Sequence, residues 1–146
     1  MNTLSVSEWT LEAASAAEAI DRVAAAGYRA IEIAAVPALD VRAARERVDA
    51  RGLTVPSMCW IGLGYPERDL AHESKRIRRQ AGDYLRTCLD QACPGGQDAR
   101  PCPPFRTKPD RTGREAELDR AARAIGSAAD GMEAGGPVMA LEALNR

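Results

Sequence analysis

Between Thr3 and Trp60 the apolar residues change spacing four times, from a period of two to one of three to four and back. That pattern predicts three strands separated by two helices. "TLSVS" (Thr3 to Ser7) alternates apolar and small polar residues, as a short strand does. Ser15 stands three residues before Glu18, a capping box that opens a helix whose apolar side carries Ile20, Val23 and Ala24. Gly27 ends it. "YRAIEIAA" then sets Ile31 and Ile33 on one face of a strand, and Ala30, Glu32 and Ala34 on the other. Asp40 starts the charged helix "DVRAARERVDAR", closed by Gly52, and "LTVPSMCW" (Leu53 to Trp60) follows as a third strand that Pro56 interrupts.

The stretch from Ile61 to Glu73 is too rich in glycine and charge for a regular element and reads as a loop. Ile77, Ala81, Tyr84, Leu85, Cys88, Leu89 and Ala92 then follow helical spacing, the clearest helix in the chain. From Cys93 to Gly113 the sequence holds five of its nine prolines and no apolar run, which predicts an irregular loop. A helix over 114–133 places Leu118, Ala122, Ile125, Ala129 and Met132 on one side, and the two glycines after it break it. "PVMALEALNR" reads as a last strand with Val138, Ala140 and Glu142 on one face and Met139 and Leu141 on the other.

Strands alternating with helices imply parallel β/α units. With 146 residues and no low-complexity linker, one domain over 1–146 is expected. Hydrophobic residues at 45% and charged ones at 28% are ordinary for a soluble globular chain. A net charge of -1 offers no broad basic field for nucleic acid or a membrane surface. No stretch reaches the roughly 20 apolar residues of a bilayer span, and "MNTLSVSEWTLEAAS" lacks the look of a signal peptide, so a cytoplasmic setting is expected. Cys59, Cys88, Cys93 and Cys102 fit no zinc template, and His72 is the single histidine. That rules out an argument for a Ser-His-Asp or Cys-His centre. "GLGYPE" lacks the lysine and spacing of a phosphate loop.

An ordered series of segments resembles the N-terminal half of the xylose-isomerase-like sugar isomerase/epimerase family. The series runs "SEWT", "AIDRVAAAGYRAIEIAA", "RERVDARGLTVPSM", "ERDLAHESKRIRRQAGDYLRTCLDQA" and "VMALEALNR", the last being the most specific. The resemblance implies an α/β fold: a truncated TIM barrel of about four to five β/α units with parallel strands. It implies that Glu142 is both a divalent-metal ligand (Mn or Mg) and a catalytic acid/base. Glu32 takes the family's second-strand position lining the substrate pocket. Trp9 and Trp60, at strand exits, are candidates for stacking on a sugar, and Asn145 for contacting it. The substrate implied is a small sugar or sugar phosphate. A hydrogen moved next to a carbonyl needs a base, often an acid, and a cation for the oxyanion, so one carboxylate does not suffice. Further ligands in the family come from later strands, against a typical length of about 250 residues for the complete fold. The proline-rich tract stands where the family has its fourth strand. The expectation is an incomplete site, weakly active or inactive alone, with a second copy covering the open half-barrel.

Plainer roles stand beside these. Glu142 also suits a capped or salt-bridged strand end, and Asn145 a turn. Glu32, flanked by isoleucines, calls for a partner, either substrate or an internal arginine. Both tryptophans also suit core or rim packing. "KRIRR" (Lys75 to Arg79) reads as a solvated helix face or as a contact for a sugar phosphate. From another class, a non-catalytic β/α binding module accounts for the same residues. The apurinic-site endonuclease branch of the fold is disfavoured by the balanced charge.

Overall fold

The first two helices start and stop on residues that satisfy their loose ends. The computed structural model describes residues 4–60, 65–92, 113–130 and 139–140. Strand β1 (Ser5–Ser7) leads through a short 3-10 turn into α1 (Ala16–Ala25), then β2 (Ala30–Ala35), α2 (Val41–Ala50) and β3 (Met58–Trp60). A second 3-10 turn, Pro66–Arg68, precedes α3 (Lys75–Ala92), and α4 (Arg114–Ala129) follows. The Ser15 hydroxyl accepts the Glu18 amide at 3.2 Å, and the Glu18 carboxylate accepts the Ala14 amide at 2.9 Å. The box thus closes one residue further back than the usual pairing. Asp40 accepts the Ala43 amide at 3.0 Å to cap α2.

The two helix exits repeat one geometry. The Tyr28 amide donates to Val23 O and the Gly27 amide to Ala24 O; Leu53 donates to Val48 O and Gly52 to Asp49 O. Both are Schellman closures, which need a left-handed residue, and Gly27 (φ 82°) and Gly52 (φ 63°) supply it. Between these ends Asp21 of α1 grips Arg47 of α2 and Arg51 just past its end, the latter at 2.9 Å. Its hydrogen bond from Arg47 holds the Asp21 carboxyl below its usual range.

The sheet runs β1-β2-β3, both pairings parallel. Ser5, Val6 and Ser7 stand opposite Ala30, Ile31 and Glu32, and Ile33, Ala34 and Ala35 opposite Met58, Cys59 and Trp60. The third strand is shorter than the span 53–60, for a reason visible in its register. Thr54 stands opposite Ala30, yet Met58 stands opposite Ile33. The β3 side has therefore gained one residue between these points, at Val55, Pro56 or Ser57. Such a bulge is where a proline without a donor fits in a sheet. It also reverses which side chains face which way. Leu53 and Val55 point to the helices before it, Met58 and Trp60 after it, and all four are buried.

The core lies on that helix side: Ile20 and Val23 of α1, Ile31, Ile33 and Ala35 of β2, Trp60 of β3, and Leu85 and Leu89 of α3. Helix α3 follows its apolar spacing as expected. Helix α4 does not. Its buried residues are Glu117, Ala121 and Ala128, whereas Leu118 is 44% exposed and Ala122 is exposed. The buried stripe runs one position earlier than expected, through Glu117, Ala121, the partly buried Ala124 and Ala128. Most of the proline-rich tract (93–112) and most of the last strand, including Glu142 and Asn145, lie outside the described residues; Met139 is partly buried against the core. Among the described residues no helix is long and apolar enough to cross a membrane.

The Schellman closures generate a prediction. A Cβ at Gly27 or Gly52 would meet nothing within 4 Å, so alanine there suffers only the backbone penalty. Gly27→Ala and Gly52→Ala should each cost about 1–2 kcal/mol in urea unfolding. Losses within about 0.3 kcal/mol of zero would show that these glycines are not left-handed.

Candidate active site

The face of the sheet turned away from the helices is small and polar: Ser5 and Ser7, Ala30, Glu32 and Ala34, Ser57 and Cys59. Glu32 sits at its centre, half-buried. One carboxylate oxygen accepts the Ser7 hydroxyl at 2.8 Å, and the other accepts the Ser57 hydroxyl at 2.8 Å. Ser7 is level with Glu32 on β1, and Ser57 is brought level on the other side by the bulge. The three side chains thus form one row across three strands. Both acceptor atoms are held by hydroxyls, and each hydrogen bond to a charged group is worth about 1.5–3 kcal/mol. The partner is neither an arginine nor a free solvent shell, which differs from the internal ion pair that the sequence left open. A hydroxyl can rotate away, so the row is a carboxylate that can exchange a serine for another donor.

The upper ends of the strands are tied together by side chains. Glu8, just past β1, accepts the Ala34 amide at 2.9 Å, so a carboxylate continues the ladder where the backbone of β1 turns away. Ala35 O accepts from the Tyr84 hydroxyl at 3.0 Å and from the Cys88 thiol at 3.4 Å, and Val36 O accepts from the Gln91 amide at 2.8 Å. Burial pushes both Tyr84 and Cys88 up to about 12. Both stay protonated at neutral pH and serve as donors to β2, not as bases or nucleophiles. Arg68, in the turn after β3, lies 3.9 Å over the ring of Tyr65 and 4.3 Å over that of Tyr84. Glu8, Tyr65 and Arg68 were not singled out from the sequence. The three-residue spacing of "YPER" is the available signal for the last two.

The predicted residues divide. Glu32 lies on the polar face. Trp9 is in the 3-10 turn at the exit of β1 and is 44% exposed, open to a ligand. Trp60 is 1% exposed and lies on the opposite face, its ring 6.0 Å from that of Tyr84. An unbroken alternation from Thr54 would have put Trp60 on the same face as Glu32, further up the strand; the bulge turns it into the core. Its indole N–H finds no acceptor among the described residues. Glu142 and Asn145 lie outside the described residues. Among the described residues no group of three or more His, Cys, Asp or Glu side chains is placed to hold a metal ion.

A family model described as xylose isomerase-like TIM barrel matches residues 20–146. No curated protein matches the chain by sequence. Several solved structures share its fold. One is an L-ribulose 3-epimerase (23% identity, TM-score 0.77), where the match covers 100% of this chain and 51% of that one. Another is the D-psicose 3-epimerase of Clostridium cellulolyticum H10, solved with D-tagatose (18% identity, TM-score 0.75, 97% and 52%). A third is a D-tagatose 3-epimerase-like protein (14% identity, TM-score 0.78, 99% and 54%). The chain spans about half the length of these structures. Three parallel strands in chain order, with helices on one face, are the start of such an α/β barrel.

The opposite placement of the two tryptophans can be read by fluorescence. In Trp9→Phe the remaining indole should be shielded from acrylamide, while the unaltered chain shows one accessible and one shielded population. Free quenching of the Trp9→Phe protein in its folded state would place Trp60 on the open face.

Proposed function

The chain belongs to the xylose isomerase-like TIM-barrel family, and from that premise we propose that it carries the first half of the site of a sugar isomerase or epimerase, weakly active or inactive alone. The observation that supports this reading best is the Ser7–Glu32–Ser57 row. It is a fixed carboxylate on the face that, in a barrel, looks into the interior. Substrates meet barrel enzymes at the C-terminal ends of the strands. A small sugar or sugar phosphate entering there would offer hydroxyls able to take over from Ser7 or Ser57 on Glu32. Trp9 would stack on the sugar's apolar face from the exit of β1, and Asn145 would contact it from the end of the chain.

Glu142 is the residue we assign to proton transfer at the carbon next to the carbonyl, and to holding a Mn or Mg ion. The described residues do not by themselves fit a metal, so its other ligands would have to come from beyond them. When bound, the ion supplies positive charge for the oxyanion that forms as the proton leaves. The protein's own part is to hold the sugar on Glu32 and to move the proton at Glu142. A second copy of the chain accords with this reading, because among the described residues β1 and β3 are each paired on one side alone, and strand edges invite pairing. So does a cytoplasmic setting.

Metal binding tests the assignment without relying on turnover. Millimolar Mn²⁺ should raise the melting temperature, since a ligand at a hundred times its Kd adds about 2.7 kcal/mol of stability. Glu142→Ala should abolish the shift and leave the metal-free melt in place. No shift, or an equal shift in Glu142→Ala, would contradict the assignment and favour a non-catalytic β/α binding module.

A further inference from the structure

The helix layer carries a second concentration of charge, remote from the polar face. Between α3 and α4 runs a groove of about 310 Å³, lined by Arg78, Arg79 and Arg86 from α3 and by Arg120 and Arg123 from α4. Gly82 and Ala124 are among its other lining residues, and among the described residues no carboxylate lines it. Five guanidinium groups around one groove repel each other unless something compensates them. Two are compensated from outside it: Asp83 pairs with Arg86 at 2.5 Å and Asp119 with Arg123 at 2.6 Å. The other three are not treated alike. Arg78 donates to His72 O at 2.6 Å and to Glu73 O at 2.8 Å. Arg120 donates through Nε to Ala71 O at 2.7 Å. Both planes are therefore pinned against the segment that leads into α3, with donors left over. Arg79 is exposed and makes no ion pair among the described residues.

We propose that the α3–α4 groove binds a compact polyphosphate anion, either an inorganic chain or the triphosphate of a nucleotide. The planar fork of arginine matches phosphate oxygens two at a time, and pinned forks lose little freedom on binding. A volume of about 310 Å³ is at the small end of sites that take small ligands. The ligand is compact, not an extended nucleic-acid strand. Asp83 and Asp119 flank the groove, and the chain's net charge of -1 gives no basic path beyond it. The glycine suits the role, because a Cβ at Gly82 would meet nothing within 4 Å and any larger side chain would grow into open space. The groove gives a part to Arg78 and Arg79 at the end of the basic run of α3. It stands independently of the sugar site's chemistry.

Calorimetric titration of the full chain at low ionic strength tests this, using inorganic tripolyphosphate, ATP and sulfate in turn. Tripolyphosphate should bind in the micromolar range, weaken as salt is added, and exceed sulfate by at least about tenfold. Arg79→Glu, on an exposed side chain, should weaken it by about tenfold or more with the ligand-free melt unchanged. Gly82→Leu should block it by filling the groove. ATP binding tighter than tripolyphosphate identifies a nucleotide as the ligand, and equal binding identifies the phosphate chain itself. Absence of binding at millimolar tripolyphosphate, sulfate binding as well as tripolyphosphate, or undiminished binding in both variants would overturn the proposal.

Discussion

One extra residue in the third strand decides what each face of this sheet is. Opposite Ala30 stands Thr54, but opposite Ile33 stands Met58. The shift passes through Pro56, which has no amide hydrogen to give a ladder. Before it, Leu53 and Val55 face the helices; after it, Met58 and Trp60 do. Without the bulge, Ser57 would face the helices and Trp60 would point to the polar face that carries Glu32. With it, a serine hydroxyl reaches the Glu32 carboxylate and the largest apolar side chain completes the core. A polar interior row and an apolar helix-covered layer are two results of one register.

The same division places the remaining functional groups. On the helix side, α3 reaches the end of β2 through Tyr84, Cys88 and Gln91, and the first two are kept protonated by their burial. Their work is to hold the strand end still. On the other side two carboxylates are held in place, Glu32 in the row and Glu8 at the exit of β1. A sheet built this way keeps these carboxylates and the helix-covered apolar packing on separate faces. The arginine groove lies outside that scheme, between two helices.

Much of this was legible from residues that act locally. Ser15, Asp40, Gly27 and Gly52 marked helix ends because each satisfies groups within a few positions of itself. The parity of β2, and so the face of Glu32, followed from Ile31 and Ile33. What escaped depends on partners distant in sequence. The serines that hold Glu32 are each 25 positions away, and nothing in "SVS" or "VPSM" announces them. Pro56 hinted at an interruption in the strand but not at the reversal that sends Trp60 inward. On α4 the stripe through Leu118 competed with one a single position earlier, through Glu117, Ala121 and Ala128, and the earlier one is buried. The five arginines of the groove come from two helices separated by the proline-rich tract, so only the fold brings them together.

The bulge and the row it creates are tested most directly by a double-mutant cycle between Glu32 and Ser57, each replaced by alanine singly and together, with stability read from urea unfolding. If the hydroxyl and the carboxylate meet as described, the two losses are not additive, and the coupling is about 1 kcal/mol or more. Losses that add to within about 0.3 kcal/mol would mean that Ser57 does not face Glu32, and the two-faced sheet described above would be contradicted.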